Sequence, residues 1–141
     1  MRIFARMNPT LKNFIGPVIG LLMGALINMA LIYLFLTIFP LPSGVELTEK
    51  SLSENIHRFE FKHFVAPFMG HAGGTLIGAW ISSEIMVSNR WIGALIIGLF
   101  FLIGGFMEVS ARPTPTWFAV VDLGLAYLPM AWLGFHWSKN E

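Results

Sequence analysis

The chain has 141 residues, of which 55% are hydrophobic and 12% charged, with a formal net charge of +1 and no cysteine. A soluble domain of this size would leave more apolar surface than it can bury, and the missing thiols exclude a disulfide framework, a thiolate metal site and a redox dithiol. No basic stripe marks a nucleic-acid surface, so no nucleic acid partner is expected.

The first apolar run covers residues 14–39 and follows Arg2, Arg6 and Lys12. A cleaved signal peptide would have a core of only ~7 to 15 apolar residues and a small-x-small cleavage site, so this longer run without such a site reads as a retained helix. Gly16, Gly20, Gly24 and Asn28 recur every fourth residue along it. Pro17 falls in its first turn, where a missing N–H costs little. Asn28, near mid-span, is expected to make an interhelical hydrogen bond.

Residues 41–63 form the longest polar segment. Within it, Leu52, Ile56 and Phe59 recur at helical spacing over 48–58, with Thr48 or Ser51 as N-cap. This pattern predicts a short amphipathic helix lying on the membrane face, placed to cap a pocket or meet a partner.

The second run, 64–86, repeats the small-residue stripe as Ala66, Gly70, Gly74, Gly78 and Ser82, with Pro67 in its first turn. Small residues at this spacing let two backbones approach closely enough for dispersion contacts to replace the hydrophobic drive that lipid lacks. The two glycine-zipper stripes are expected to face each other, or a symmetry mate. His71, Thr75 and Ser82 share one face of this helix.

The third run, 91–110, carries Glu108 near its end and is followed by Arg112 in the turn Ala-Arg-Pro-Thr-Pro-Thr. The fourth, 116–137, carries Asp122 and Tyr127, with Pro129 well inside it. Pro129 is expected to free the carbonyl of Leu125 and bend the helix. At ~1.5 Å per residue all four runs reach the ~30 Å of a bilayer core. The expected fold is an all-α, four-span transmembrane helix bundle occupying 1–141 as a single domain, with the amphipathic segment between helices 1 and 2.

Four spans put both termini on one side. That side carries Arg2, Arg6, Lys12, Arg90 and Lys139 against Glu84 and Glu141; the other carries Lys50, Arg58, Lys62 and Arg112 against Glu46, Glu49, Glu54, Glu60, Glu108 and Asp122. The excess of Lys and Arg predicts cytoplasmic termini. Trp91 and Trp137 on that side, and Trp117 on the other, sit where rings reach headgroup level.

His71 and Asp122 each lie roughly 10 Å below the outer boundary by the ~1.5 Å rise. With Thr75, Glu108, Arg112 and Tyr127 they form a candidate polar site opening outward. A carboxylate within a span costs on the order of 2.5 to 3.5 kcal/mol at the centre, so Asp122 needs a partner: His71, Arg112, or the hydroxyl of Thr75 or Tyr127. Such a pair would relay a proton, bind a cation, or lock two helices together. His57, His63 and His136 read as interfacial or solvated. A haem would need a second axial ligand beyond His71, and a zinc site of His63, His71 and Glu108 has no close-spaced ligand motif behind it. No cofactor or metal is therefore implied. No Gly-x-Ser-x-Gly, His-Glu-x-x-His or Walker lysine is present, so no enzyme class is indicated.

The stretch from Phe68 to Ala79, Pro113 to Phe118, and Asp122-Leu123 with Ala126 to Gly134 together resemble an uncharacterised family of small four-span bacterial inner-membrane proteins. The resemblance runs over nearly the whole chain and implies the four-span architecture and an inner-membrane location. The likeness to DoxX-like proteins and fluoride channels is one of size, and the glycine-asparagine signature of the channels is unmatched. Two functions are expected: a non-enzymatic accessory or assembly protein acting through its glycine faces or outer segment, or a small proton or cation transporter using His71, Glu108 and Asp122. A membrane enzyme acting on a lipid or quinone is a third. Besides the lipid bilayer, a homo-oligomer or a larger membrane complex is the expected setting.

Overall fold

The computed structural model describes residues 7–138; Arg2, Arg6, Lys139 and Glu141, used above for orientation, lie outside the described residues. Among the described residues six α-helices follow in order: α1 (Pro9–Ile38), α2 (Glu49–Asn55), α3 (Val65–Ile85), α4 (Arg90–Ala111), α5 (Thr116–Leu125) and α6 (Leu128–Trp137). Short 3-10 turns at Ile56–Arg58 and Phe61–Phe64 link α2 to α3, and there is no strand among the described residues. Four stretches are long and apolar enough to cross a membrane: Pro9–Ile38, Phe61–Ile85, Arg90–Ala111 and Thr116–Trp137.

Helix α1 starts earlier than its apolar run. Asn8 accepts the Thr10 N–H at 2.8 Å and Pro9 supplies a helical φ at the first position. Pro17 is consequently inside the helix rather than in its first turn. A cap six residues upstream of the start of the apolar run at Phe14 outweighs the hydrophobic pattern in setting the boundary.

Helix α3 is the centre of the bundle, with buried residues from Ala66 to Ile85, whereas α1 buries only Gly16, Gly20 and Gly24. The stripes of α1 and α3 face each other within one chain, in antiparallel register. A Cβ on Gly20 would stand 2.6 Å from the carbonyl oxygen of Gly78, and one on Gly24 would stand 2.7 Å from that of Gly74. Gly16 lies against Ser82 and Met86, and Gly70 against Asn28 and Ile32. Any side chain at Gly20 or Gly24 would drive the two backbones apart, losing the close contacts that hold helices together without a hydrophobic drive.

The side bearing the chain termini is closed by polar contacts. Asn13 accepts the N–H groups of Val87 and Ser88 at 3.0 and 3.2 Å and donates to the Ser88 hydroxyl at 2.6 Å. Asn89, at φ 50° and ψ 40°, turns the chain into α4; asparagine tolerates this left-handed region better than most residues. Arg90 donates to the Ser83 carbonyl at 2.7 Å and to the Ser138 hydroxyl at 2.8 Å, tying α3, α4 and the end of α6 together.

The fourth apolar stretch breaks rather than bends. Helix α5 ends at Leu125 and α6 begins at Leu128, with Tyr127 at φ −116° and ψ −83° between them. Pro129 has no N–H for the Leu125 carbonyl, and its ring opposes helical geometry just upstream. Two short helices result, and Pro129 occupies the first turn of the second.

Candidate functional site

Asp122 and His71 meet. Both carboxylate oxygens of Asp122 lie close to His71 Nδ1, Oδ1 at 2.9 Å and Oδ2 at 3.0 Å. The Tyr127 hydroxyl donates to Asp122 Oδ2 at 2.9 Å, and its oxygen is 3.0 Å from the same His71 nitrogen. Asp122 and Tyr127 are 1% and 2% exposed, so the carboxylate depends on these two donors for its solvation. An acceptor carboxylate assigns the ring proton to Nδ1, which the phenol oxygen also approaches.

The helix break makes this arrangement. In one continuous helix, side chains five residues apart diverge by about 140°, and Asp122 and Tyr127 would address different neighbours. The turn at Ala126 and Tyr127 brings both to His71. Gly105 on α4 supplies the space: a Cβ there would collide with the Tyr127 hydroxyl and ring. The rings of His71 and Tyr127 lie 5.8 Å apart at an interplanar angle of 27°.

His71 Nε2 makes no hydrogen bond within the described residues, and the His71 ring lines a cavity of about 580 Å³. Much of the wall is apolar: Met29, Ile32 and Leu36 from α1, Phe101 from α4, and Phe64 and Phe118 nearer the loops. Leu52, Ile56 and Phe59, the apolar face anticipated for the amphipathic segment, form part of the lining from above. Thr48 caps α2 through a bond from Ser51 N–H to its hydroxyl at 3.3 Å. Below His71 the interior is filled, with Thr75, Ala79, Ser82 and Ile97 all at 0% exposure.

Five of the six predicted site residues, His71, Glu108, Arg112, Asp122 and Tyr127, line this cavity. They divide into two groups. Arg112 does not partner Asp122; it pairs with Glu108 one helical turn earlier and with Glu49 of α2 at 3.6 Å, at the outer end of the cavity. Thr75 is not in the lining, because its hydroxyl donates to the His71 carbonyl at 2.7 Å within its own helix. Ser82, on the same face, points at Met86 with its hydroxyl 3.9 Å from the sulfur.

Two further expectations change. Asn28 makes no interhelical hydrogen bond through its oxygen: Oδ1 is buried without a partner, beside Gly70 and at the cavity wall. A glycine neighbour offers no side chain to bond, and the backbone of α3 is already committed to its own helix. His63 is not solvated but 5% exposed. It accepts the Glu60 N–H at 2.8 Å while Glu60 accepts the His63 N–H, a reciprocal cap that folds the imidazole back onto the turn. His63, His71 and Glu108 share the cavity, but no group of three metal-ligating side chains stands close enough to hold an ion among the described residues.

Sequence reasoning missed Gly105 and the pairing of Glu49 with Arg112. The adjacent Gly104-Gly105 was a visible signal, since paired glycines within an apolar helix mark a place where something bulky approaches.

The arrangement defines an all-helical protein with four potential membrane-crossing helices and an apolar cavity ending in an oriented histidine. No family model, curated protein or solved structure matches the chain.

Proposed function

We propose that this chain is a multi-pass protein of a bacterial cytoplasmic membrane, with both termini in the cytoplasm, and that its outward-facing cavity is a binding site for a small lipid-soluble molecule. The observation that carries this reading is the clamping of His71. Asp122 and Tyr127 occupy Nδ1 and leave the Nε2 lone pair unpartnered among the described residues, on a side chain that lines the cavity and is 20% exposed. A pair serving only to join two helices has no need of 580 Å³ of space in front of it. A carboxylate behind the imidazole fixes its tautomer and compensates the charge when Nε2 takes up a proton. The site therefore suits a ligand held by hydrogen bonding or proton exchange at His71, with apolar walls for the rest of the molecule. The filled interior below His71 favours a binding site over an open pore.

The accessory or assembly reading has one observation of its own. Phe61, on the outer segment, is 75% exposed and stacks on Trp117 with ring centroids 5.4 Å apart. A membrane partner, or another copy of the chain, would find an aromatic anchor there.

Native mass spectrometry of protein taken from its own membranes with lipid retained tests both readings. A bound small molecule held by the wild type and lost in His71→Gln is the expected result. A stable complex with a larger protein, unaffected by that substitution and carrying no small molecule, would overturn the binding-site reading in favour of the accessory one.

A further inference from the structure

Resting on that reading of the cavity, we infer that it opens sideways into the bilayer between α1 and α4 and takes a lipid-soluble hydroxyl compound, whose O–H donates to His71 Nε2. The roof and floor are both closed. The outer segment covers the top, held by the contact of Glu49 with Arg112. At the bottom, Phe101 lies against Gly24, 3.0 Å from where a Cβ would stand, and seals the seam between the two helices.

Above Phe101 the seam opens. Met29 on α1 lines the cavity and is nevertheless 48% exposed. Gly104 on α4 also lines it, is exposed, and would meet nothing within 4 Å if given a Cβ. Exposed lining residues on both helices, with nothing packed over Gly104, leave the seam unfilled at this level, and the side entrance lies there. Met29 is nine residues from the end of α1 at Ile38, so at ~1.5 Å per residue this entrance lies roughly 14 Å inside the span, at the level of acyl chains rather than water.

The class of ligand follows from the polar groups at the inner end. His71 Nε2 presents a lone pair on a side chain that is 20% exposed. With Glu49, Glu108 and Arg112 paired together at the outer end, this free acceptor is complemented by a hydroxyl and leaves an ether or ester oxygen without a partner.

The test uses purified full-length protein in nanodiscs of phosphatidylethanolamine and phosphatidylglycerol. The probes are a hexadecanol bearing a diazirine and a terminal alkyne, and its methyl ether. Photolysis followed by peptide mapping is expected to place the alcohol on the cavity residues Ile32 and Phe101. The ether should label them about fivefold less, the weight of one hydrogen bond. Gly104→Phe, and independently Met29→Trp from the other side, should cut labelling by the alcohol by a similar factor. Equal cavity labelling by alcohol and ether would overturn the hydroxyl assignment while leaving the cavity as a binding site. Undiminished labelling in both narrowed variants would overturn the side entrance. Probes found only on outward lipid-facing residues would overturn this inference together with the binding-site reading beneath it.

Discussion

Asp122 and His71 stand on different helices, 51 positions apart in the chain, with 2.9 Å between a carboxylate oxygen and Nδ1. A carboxylate that is 1% exposed is tolerated in a span only with such partners. The pair is therefore expected to couple more strongly than neutral interhelical bonds, which average about 0.6 kcal/mol and reach about 1.7 kcal/mol in membrane proteins. A double-mutant cycle of Asp122→Asn and His71→Gln, read by unfolding in mixed micelles, should return at least about 1.5 kcal/mol. Asp122→Ala, which strands the donors of both His71 and Tyr127, should cost on the order of 1–3 kcal/mol by itself. A coupling near zero would mean that the two side chains do not meet in the folded protein.

Gly105 and Gly104 give a matched pair of tests. A Cβ on Gly105 meets three atoms of the Tyr127 ring and hydroxyl, a rigid group that cannot swing aside without leaving Asp122. Gly105→Ala should destabilise by about 1–3 kcal/mol, as overpacking does. Gly104→Ala, with nothing within 4 Å, should be neutral or stabilising by about 0.5–1 kcal/mol, since alanine replaces glycine in a helix interior. The same unfolding measurement distinguishes them, and equal effects would show that Tyr127 does not occupy the space beside Gly105.

The contrast between these glycines shows which parts of the chain were legible from the sequence. Apolar runs and four-residue stripes are periodic, so the four long apolar helices and their packing faces could be read from spacing, while the choice between α3 and a symmetry mate as the partner of α1 needed the fold. The depth argument placed His71 and Asp122 at one level, and there they are bonded. The contribution of Tyr127 was only one possibility among several, because it depends on the backbone angles at the α5–α6 break, where Pro129 suggested a bend and the chain made two helices. Gly105 acts by leaving space, and the adjacent Gly104-Gly105 could signal a close approach without saying which of the two glycines is approached or that Tyr127 approaches it. Asn28 was misread because a polar residue in a span normally finds a partner, whereas the residue opposite it is Gly70. Arg112 had several acids within reach in sequence, and only the fold decides that Glu49 and Glu108 take it.

The turn before α3 carries a pH dependence of its own. Hydrogen bonding and the positive charge of Lys62, 3.0 Å away, hold the Glu60 carboxyl below the ordinary glutamate value of 4.5. A carboxyl lowered in the folded state contributes stability above its unfolded pKa and loses it as pH falls through the folded one. The Glu60 carboxylate also caps the His63 N–H, so the protection of the His63 amide, its exchange relative to an unfolded peptide at the same pH, should hold at neutral pH and fall only below the ordinary glutamate range. Lys62→Ala should move that onset upward. Because Glu60 is fully exposed, the effect is confined to this turn, and a shift in global unfolding with the same pH profile would contradict the assignment.

Arg112 holds the outer segment to the bundle through Glu49 of α2 on one side and Glu108 of α4 on the other. Glu49 is 71% exposed in its side chain, so the contact is worth only about 0–1 kcal/mol and global stability should hardly change when it is removed. Local opening is a different quantity, since a seven-residue helix with no buried residue has little else to hold it. Arg112→Gln is therefore expected to raise hydrogen exchange across α2 and the following turn severalfold, with exchange in α3 unchanged. Charge reversal of both partners, Arg112→Glu with Glu49→Arg, should restore part of the protection, although Glu108 then faces a like charge. Unchanged exchange in α2 after Arg112→Gln would show that Leu52, Ile56 and Phe59 hold the roof of the cavity by apolar contact alone.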